Sequence, residues 1–312
     1  MIYAIGDIHG QAEMLATALN FLIQSLLEPQ DMVVFMGDYV DRGPDSRGVF
    51  ELLHQFRNLH GADNVVFLRG NHEDMLLTAR FDPEEESLWL FNGGWETLAS
   101  YGIIHSPEWF SQLPEADRDL IASTQLEFPA GRYHFVHAGI PPEGFEPMQR
   151  DPRLWIRDEF IDSEQDFGAI VVFGHTIIPT LQPLVMGNKV GIDTGAFLPE
   201  GKLTMAAFDP EAEIDGMPEF TYYQINHQNK IEAFRLRKPK PKPKRSLLRR
   251  KAEEHSKAEE PKADEQAKAE ETPMVEEQPQ ADDELKFEEQ PSVGEPHLEM
   301  PAEDADPIPP SS

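Results

Sequence analysis

The chain has no cysteine among its 312 residues, which excludes a disulfide framework, a thiolate nucleophile and a zinc ribbon. No apolar run approaches the ~18–20 residues needed to span a bilayer. Nor does a basic stretch followed by a long apolar one open the sequence, so no signal peptide is expected. Basic residues are scarce, with 27 Lys+Arg against 57 Asp+Glu and a net charge of −30. Phosphate-backbone affinity needs clustered cations, so nucleic acid is not an expected partner. A cytoplasmic location without stable membrane association is the resulting expectation.

What is present divides the chain in two. Residues 1–236 hold nearly all the aromatics and a net charge of −23. Residues 237–312 carry one aromatic, Phe287, and 12 prolines. Such a segment cannot bury enough apolar surface to offset its ordering entropy, so a disordered charged tail is expected. It has a basic part, 237–251, and an acidic, Pro-rich part, 252–312. A solvated tail is the first reading. The alternatives are docking of an unidentified acidic partner, folding back on the acidic body, or loose attachment to anionic lipid near Leu247-Leu248-Arg249-Arg250.

Within 1–236, apolar runs at Ile2–Ile5, Met32–Met36 and Val65–Leu68 alternate with helical periodicity, as in consecutive βαβ units. The stretch from about 73 to 125 is expected to be mainly helical. Further strand candidates are Tyr133–Val136, Ile170–Phe173, Val190–Ile192, Leu203–Phe208, Phe220–Ile225 and Ile231–Leu236. Their position late in the chain suggests a second, more antiparallel sheet. The fold class expected is α/β, a two-layered β core clad by helices.

The informative residues stand just past the strands. Gly6-Asp7-Ile8-His9-Gly10 follows the first, Gly37-Asp38-Tyr39-Val40-Asp41-Arg42-Gly43 the second, and Arg69-Gly70-Asn71-His72-Glu73 the third. His137 follows Val136, and Gly174-His175-Thr176 follows Phe173. The carboxyl edge of an open α/β sheet is where such folds build sites. Neighbouring strand ends lie ~4.8 Å apart. Two carboxylates, an amide oxygen and three imidazoles that close together require cations among them. Sulfur-free oxygen and imidazole donors suit manganese, iron or zinc. The partition expected puts Asp7, His9 and Asp38 on one ion, with Asp38 bridging to a second held by Asn71, His137 and His175. Arg42 and Arg69, next to these residues, offer planar donors for a phosphate.

GDIHG, GDYVDRG, LRGNHE, VHAG and GHT, in this order and spacing, resemble the signature set of the PPP metallophosphatases. These lie within the calcineurin-like group, and the match is nearest to the bacterial and bacteriophage-type serine/threonine protein phosphatases. The resemblance covers about residues 1–236. It implies a four-layer αββα sandwich of two mixed β-sheets flanked by helices, and a dinuclear metal site, manganese first with iron or zinc as alternatives. It carries the ligand set onto Asp7, His9, Asp38, Asn71, His137 and His175. It makes His72 the general acid with Asp41 orienting it, and Arg42 and Arg69 phosphate clamps. Arg157, in Leu154-Trp155-Ile156-Arg157, falls where the family has a further phosphate-binding arginine. A hydroxide bridging the two metals would attack phosphorus directly, and phosphorylated proteins or peptides would be the substrates.

Two rivals stand beside this reading. A symmetrical dinucleoside-tetraphosphate hydrolase shares the scaffold. That subfamily typically lacks an Asp at the place of Asp41 and has GNHD and GHW where this chain has GNHE and GHT. A non-catalytic binding protein using the charged tail is the other, although none of the six ligand positions is missing. His54, His60, His105, His134 and His227 are expected to be structural, and Asp193 a turn or supporting residue. The Trp89–Trp95 stretch, with Asn92-Gly93-Gly94, is read as helix packing and a turn rather than a substrate lid.

Overall fold

The structure, a computed structural model, describes residues 1–104, 106–211 and 220–236. His105 and the basic and acidic parts of the tail, with every reading placed on them, lie outside these residues. In chain order the first half runs β1 (Ile2–Ile5), α1 (Ala12–Ser25), β2 (Met32–Phe35), α2 (Ser46–His60), β3 (Val65–Phe67), α3 (Asn71–Ala79) and α4 (Pro83–Trp89). A π turn at Leu90–Gly94 leads into α5 (Trp95–Ser100), α6 (Trp109–Gln112) and α7 (Glu115–Ser123). Then come β4 (Glu127–Ala130), β5 (Tyr133–Val136), α8 (Pro152–Trp155), α9 (Asp158–Ile161), β6 (Ile170–Phe173), β7 (Leu184–Met186) and β8 (Lys189–Gly191). Three strands finish the described residues: β9 (Leu203–Phe208), β10 (Phe220–Ile225) and β11 (Ile231–Leu236). No described helix is long and apolar enough to cross a membrane.

Two mixed sheets result, in the orders β11-β10-β9-β1-β2-β3 and β4-β5-β6-β8-β7. β1, β2 and β3 are parallel neighbours, with Ile5 opposite Phe35 and Phe35 opposite Phe67, so their carboxyl ends are level. The late strands do not form one second sheet, as the sequence suggested. β9, β10 and β11 add to the first sheet, β9 pairing antiparallel with β1. The second sheet is built from 127–191, its β5, β6 and β8 parallel. Sequence order is a poor guide here because an antiparallel strand can join any open edge.

Side-chain alternation explains the layering. Tyr3, Ile5, Val33, Phe35, Val65 and Phe67 face α1, α2 and the helical middle of the chain. Ile2, Ala4, Val34, Met36, Val66 and Leu68 face the other way, against Tyr133, Phe135, Ile170, Val172 and Val190 of the second sheet. Val136, Val171 and Phe173 turn outward from that sheet onto Ile156 and Phe160 of the α8–α9 region. Strands buried on both faces read as unbroken apolar runs, which is why Ile2–Ile5 and Ile170–Phe173 were legible. Each large aliphatic or aromatic side chain so buried contributes roughly 1.5–3 kcal/mol. α2 is started by Asp45, whose side chain accepts from the Gly48 N–H, and stopped by Gly61 at φ 98°, a left-handed value glycine adopts without strain.

Candidate functional site

The level ends of β1, β2 and β3 deliver Asp7, Asp38 and Asn71 to one edge, and β5 and β6 deliver His137 and His175 from the second sheet. Backbone bonds lock the loops together. Ile8 and His9 N–H both donate to Asp38 O, Gly10 N–H donates to Tyr39 O, and Gly174 N–H donates to His137 O. His137 Nδ1–H donates across the sheets to Met36 O at 2.8 Å. The His175 N–H reaches Asp7 Oδ2 at 3.0 Å. Five non-glycine residues of this edge hold positive φ, namely His9, Asp38, Asp41, Arg42 and His175. Each is a conformation L-residues avoid, and such strain collects at functional sites.

Asp38 lies between two groups of donors. Its Oδ2 is 3.4 Å from His9 Nε2 and its Oδ1 is 3.5 Å from His137 Nε2. The donor atoms of His9, Asp38 and His72 lie within 4.8 Å of one another, as do those of Asp38, His137 and His175. Asn71 Oδ1 sits 3.0 Å from His137 Nε2 and 2.7 Å from His175 Nδ1. Asp7 is buried at the same edge, but the third member beside His9 and Asp38 by donor distance is His72. Gly70 permits the crowding, since a Cβ there would overlap Asp38 Oδ1.

The donor set fits divalent cations. His9 Nδ1–H is committed to Val40 O at 2.9 Å and His137 Nδ1–H to Met36 O, so in the neutral ring each Nε2 is a lone-pair acceptor. Burial, the largest influence, holds both imidazoles below their ordinary values and therefore neutral. His137 Nε2 then faces Asn71 Oδ1 and Asp38 Oδ1, three acceptors with no proton to share among them. His175 Nε2 and Asp7 Oδ1 are buried without a hydrogen-bond partner. Burial, then the charges of Asp193 and Asp38, push the Asp7 carboxyl well above the usual range. Converging acceptors and crowded carboxylates are what a cation resolves.

His72 is held from behind. Its Nδ1–H donates to Asp41 Oδ2 at 2.7 Å. Although burial opposes it, the Asp38 and Asp41 carboxylates raise the imidazole above its ordinary value. Asp41 is fully buried and accepts from Trp89 Nε1–H at 3.0 Å and Thr97 Oγ1–H at 2.7 Å. Trp89 and Thr97 were not foreseen as supports of the site. Trp89 lies at an apolar helical position, where sequence alone registers only packing. Glu73 was also unassigned. Its carboxylate accepts the N–H groups of Asp38, Tyr39 and Gly70 at 2.8, 2.8 and 2.9 Å, and of Val40 at 3.3 Å.

Of the arginines, Arg42 donates to His9 Nε2 at 3.0 Å and lies over the Phe197 ring. Arg157 Nη1–H donates to His175 O at 3.1 Å. Arg69 is half-exposed and tied to Thr124 Oγ1 and Ala122 O. Asp193 is buried and caps its own turn through Gly195 N–H. His54, His60, His134 and His227 bond elsewhere, to Asp117, Asp31 O, Glu127 and Leu198 O.

Two mixed sheets clad by helices, with aspartate, asparagine and histidine gathered at the strand ends, define a phosphoesterase of the metal-dependent class. The sequence pattern of the calcineurin-like phosphoesterases matches residues 1–208, and the chain belongs to that family. Membership implies divalent metal ions. Serine/threonine-protein phosphatase 1 of Salmonella typhimurium is 30% identical over 222 residues, 66% of this chain and 90% of that protein. Serine/threonine-protein phosphatase 2 of Escherichia coli is 27% identical over 62% of this chain and 87% of its own. A symmetrical bis(5'-nucleosyl)-tetraphosphatase of Paracidovorax citrulli is 31% identical over 45% of each chain.

Proposed function

We propose that this chain is a metal-dependent phosphomonoesterase acting on phosphoserine and phosphothreonine in proteins, with residues 1–236 as its catalytic domain. The observation that carries the reading is Asp38, one carboxylate with an oxygen toward each of two donor groups. Asp7, His9, Asp38, Asn71, His137 and His175 would hold two divalent ions, manganese first and iron or zinc as alternatives. When bound, such ions acidify a water and neutralise charge on phosphoryl oxygens.

The chain's own groups do the rest. Arg42, Arg69 and Arg157 bind and orient the phosphoryl oxygens, a role suited to planar guanidinium donors. His72, with Nδ1–H given to Asp41, carries its exchangeable proton on Nε2 and delivers it to the departing oxygen. Asp41 fixes the ring and stabilises its cationic form, and Trp89 and Thr97 fix Asp41. General acids of this kind contribute about 10²–10⁴-fold.

The rival reading, a symmetrical dinucleoside-tetraphosphate hydrolase, has a relative matched over a shorter stretch of this chain than the serine/threonine phosphatases are, and Asp41 and Glu73 both have structural duties. A test offers a phosphoserine peptide and a dinucleoside tetraphosphate to the same manganese-loaded protein. Faster turnover of the peptide is expected, and turnover of the dinucleotide alone would sink the proposal. Removing 237–312 should leave that turnover intact. An adaptor working through its tail would instead lose its partner.

A further inference from the structure

Beside Arg42 the surface opens into a cleft of about 380 Å³ lined by Arg42, Phe91, Asn92, Gly93, Glu96 and Phe197. One wall is the π turn with the start of α5, the other is the loop after β8. A single exposed phenylalanine carries no message, but Phe91, 88% exposed, shares this cleft with a second aromatic ring and with the site's arginine. The turn that projects it is held in place. Gly93 has φ 112°, a Cβ there would come within 2.6 Å of Arg42 N, and the Arg42 N–H donates to Gly93 O at 3.4 Å. π turns interrupting helices gather at functional sites.

Arg42 belongs to both regions. Its guanidinium donates to His9 Nε2 at 3.0 Å, and its Cζ lies 4.6 Å from the Phe197 ring centroid. Whatever is attached to a phosphoryl group held by Arg42 therefore meets this cleft. Apart from the Arg42 guanidinium, which the phosphoryl group would engage and neutralise, the lining offers two aromatic rings, an amide and one carboxylate. Glu96 is exposed and has no Lys or Arg partner among the described residues. The body around it is acidic, so an acidic flank on a substrate would be repelled and a basic one drawn in.

We propose that this cleft receives the polypeptide flank of the phosphorylated residue and favours a Lys or Arg in it, with Glu96 as counter-charge and Phe91 as the flat face for peptide and cation. The proposal rests on the phosphoprotein reading above. Glu96 and Phe91 act on specificity; neither touches the donor groups around Asp38.

The test measures kcat/KM on manganese-loaded full-length protein for two phosphoserine peptides differing only in an Arg or a Glu beside the phosphoserine. p-Nitrophenyl phosphate, which has no flank, reports folding and chemistry. Wild type should prefer the Arg peptide, and Glu96→Lys should reverse that preference, each by about threefold, the scale of an exposed ion pair. Phe91→Ala should raise KM for the Arg peptide about fivefold, the scale of an aromatic contact, with p-nitrophenyl phosphate turnover unchanged. Equal use of both peptides, unaltered by either substitution, overturns the cleft assignment and leaves the phosphatase reading standing. The same variants are also offered a dinucleoside tetraphosphate, and a loss confined to that substrate overturns the assignment in favour of a nucleobase platform. Wild type inert toward both peptides but active on p-nitrophenyl phosphate overturns both readings together.

Discussion

Replacing Glu73 with glutamine removes an acceptor from a side chain that takes four N–H groups around the loop carrying Asp38. Oε2 accepts from Asp38 N–H at 2.8 Å and Gly70 N–H at 2.9 Å, and Oε1 accepts from Tyr39 N–H at 2.8 Å and Val40 N–H at 3.3 Å. Glutamine keeps one oxygen and presents an NH₂ to the other pair. Two charge-assisted bonds, about 1.5–3 kcal/mol each, are lost, and two buried donors face a third. Against this, burial and the neighbouring Asp38 charge push the Glu73 carboxyl up to about 7, so part of the gain is offset by keeping a charge in a dry place. A net loss of about 3 kcal/mol is expected, at the upper end of ordinary single substitutions.

The measurement is urea unfolding of the chelator-treated protein, so that cation binding does not add to the stability of either form. Glu73→Asp, one methylene shorter, should fall between wild type and Glu73→Gln. Both variants should also lose turnover, because the loop they loosen sets the φ of Asp38. If Glu73→Gln unfolds within about 0.5 kcal/mol of wild type, the scale of an ordinary surface substitution, the clasp contributes nothing and the reasoning fails.

Other outcomes follow from the same geometry. His72→Asn should cut turnover of phosphoserine peptides about 10²-fold or more and of p-nitrophenyl phosphate far less, since p-nitrophenolate leaves without a proton; equal losses would refute the acid role. Trp89→Phe removes the Nε1–H donor from Asp41 and should lower kcat for the peptide with KM unchanged, whereas a fall in stability alone would make Trp89 a packing residue. Manganese added to chelator-treated protein should raise Tm by mass action, and His137→Ala should shrink that rise; a Tm indifferent to millimolar manganese would contradict the donor set. At alkaline pH, burial pushes Tyr3 and Tyr133 up to about 12 in the fold from 10.0. The folded state thus holds protons that the unfolded state releases first, and stability should fall as pH climbs from 10 toward 12. Equal urea midpoints at about pH 9 and about pH 11 would refute that.

Legibility in the sequence followed the physics of each element. Strands buried on both faces are continuous apolar runs, so β1, β2 and β6 could be read directly, and β5 and β9 depart from that pattern only at His134 and Thr204. β4 and β7 could not, because Glu127–Ala130 and Leu184–Met186 lie partly exposed at the two edges of the second sheet. The sheet assignment of β9 to β11 was unreadable for a different reason. Pairing along an edge is settled by which faces match in space, and nothing local in Leu203–Phe208 names β1 as its neighbour.

The same division runs through the site. Most residues that would touch a cation or phosphate are polar groups at strand ends beside glycine, conspicuous because nothing structural needs them there; His137 and Arg157 lack the neighbouring glycine. Residues that hold those groups in place are not conspicuous, since a tryptophan at a helical position or a glutamate in a helix's first turn is ordinary. Trp89 gains its second role only because the chain, after α4, folds its π turn against Arg42. Glu73 gains its own because α3 begins under the β2 loop. Both facts belong to contacts between segments 30 or more residues apart. Such supports are therefore found by asking of each buried carboxylate and imidazole which group satisfies it. That accounting was closed to the sequence and open to the structure.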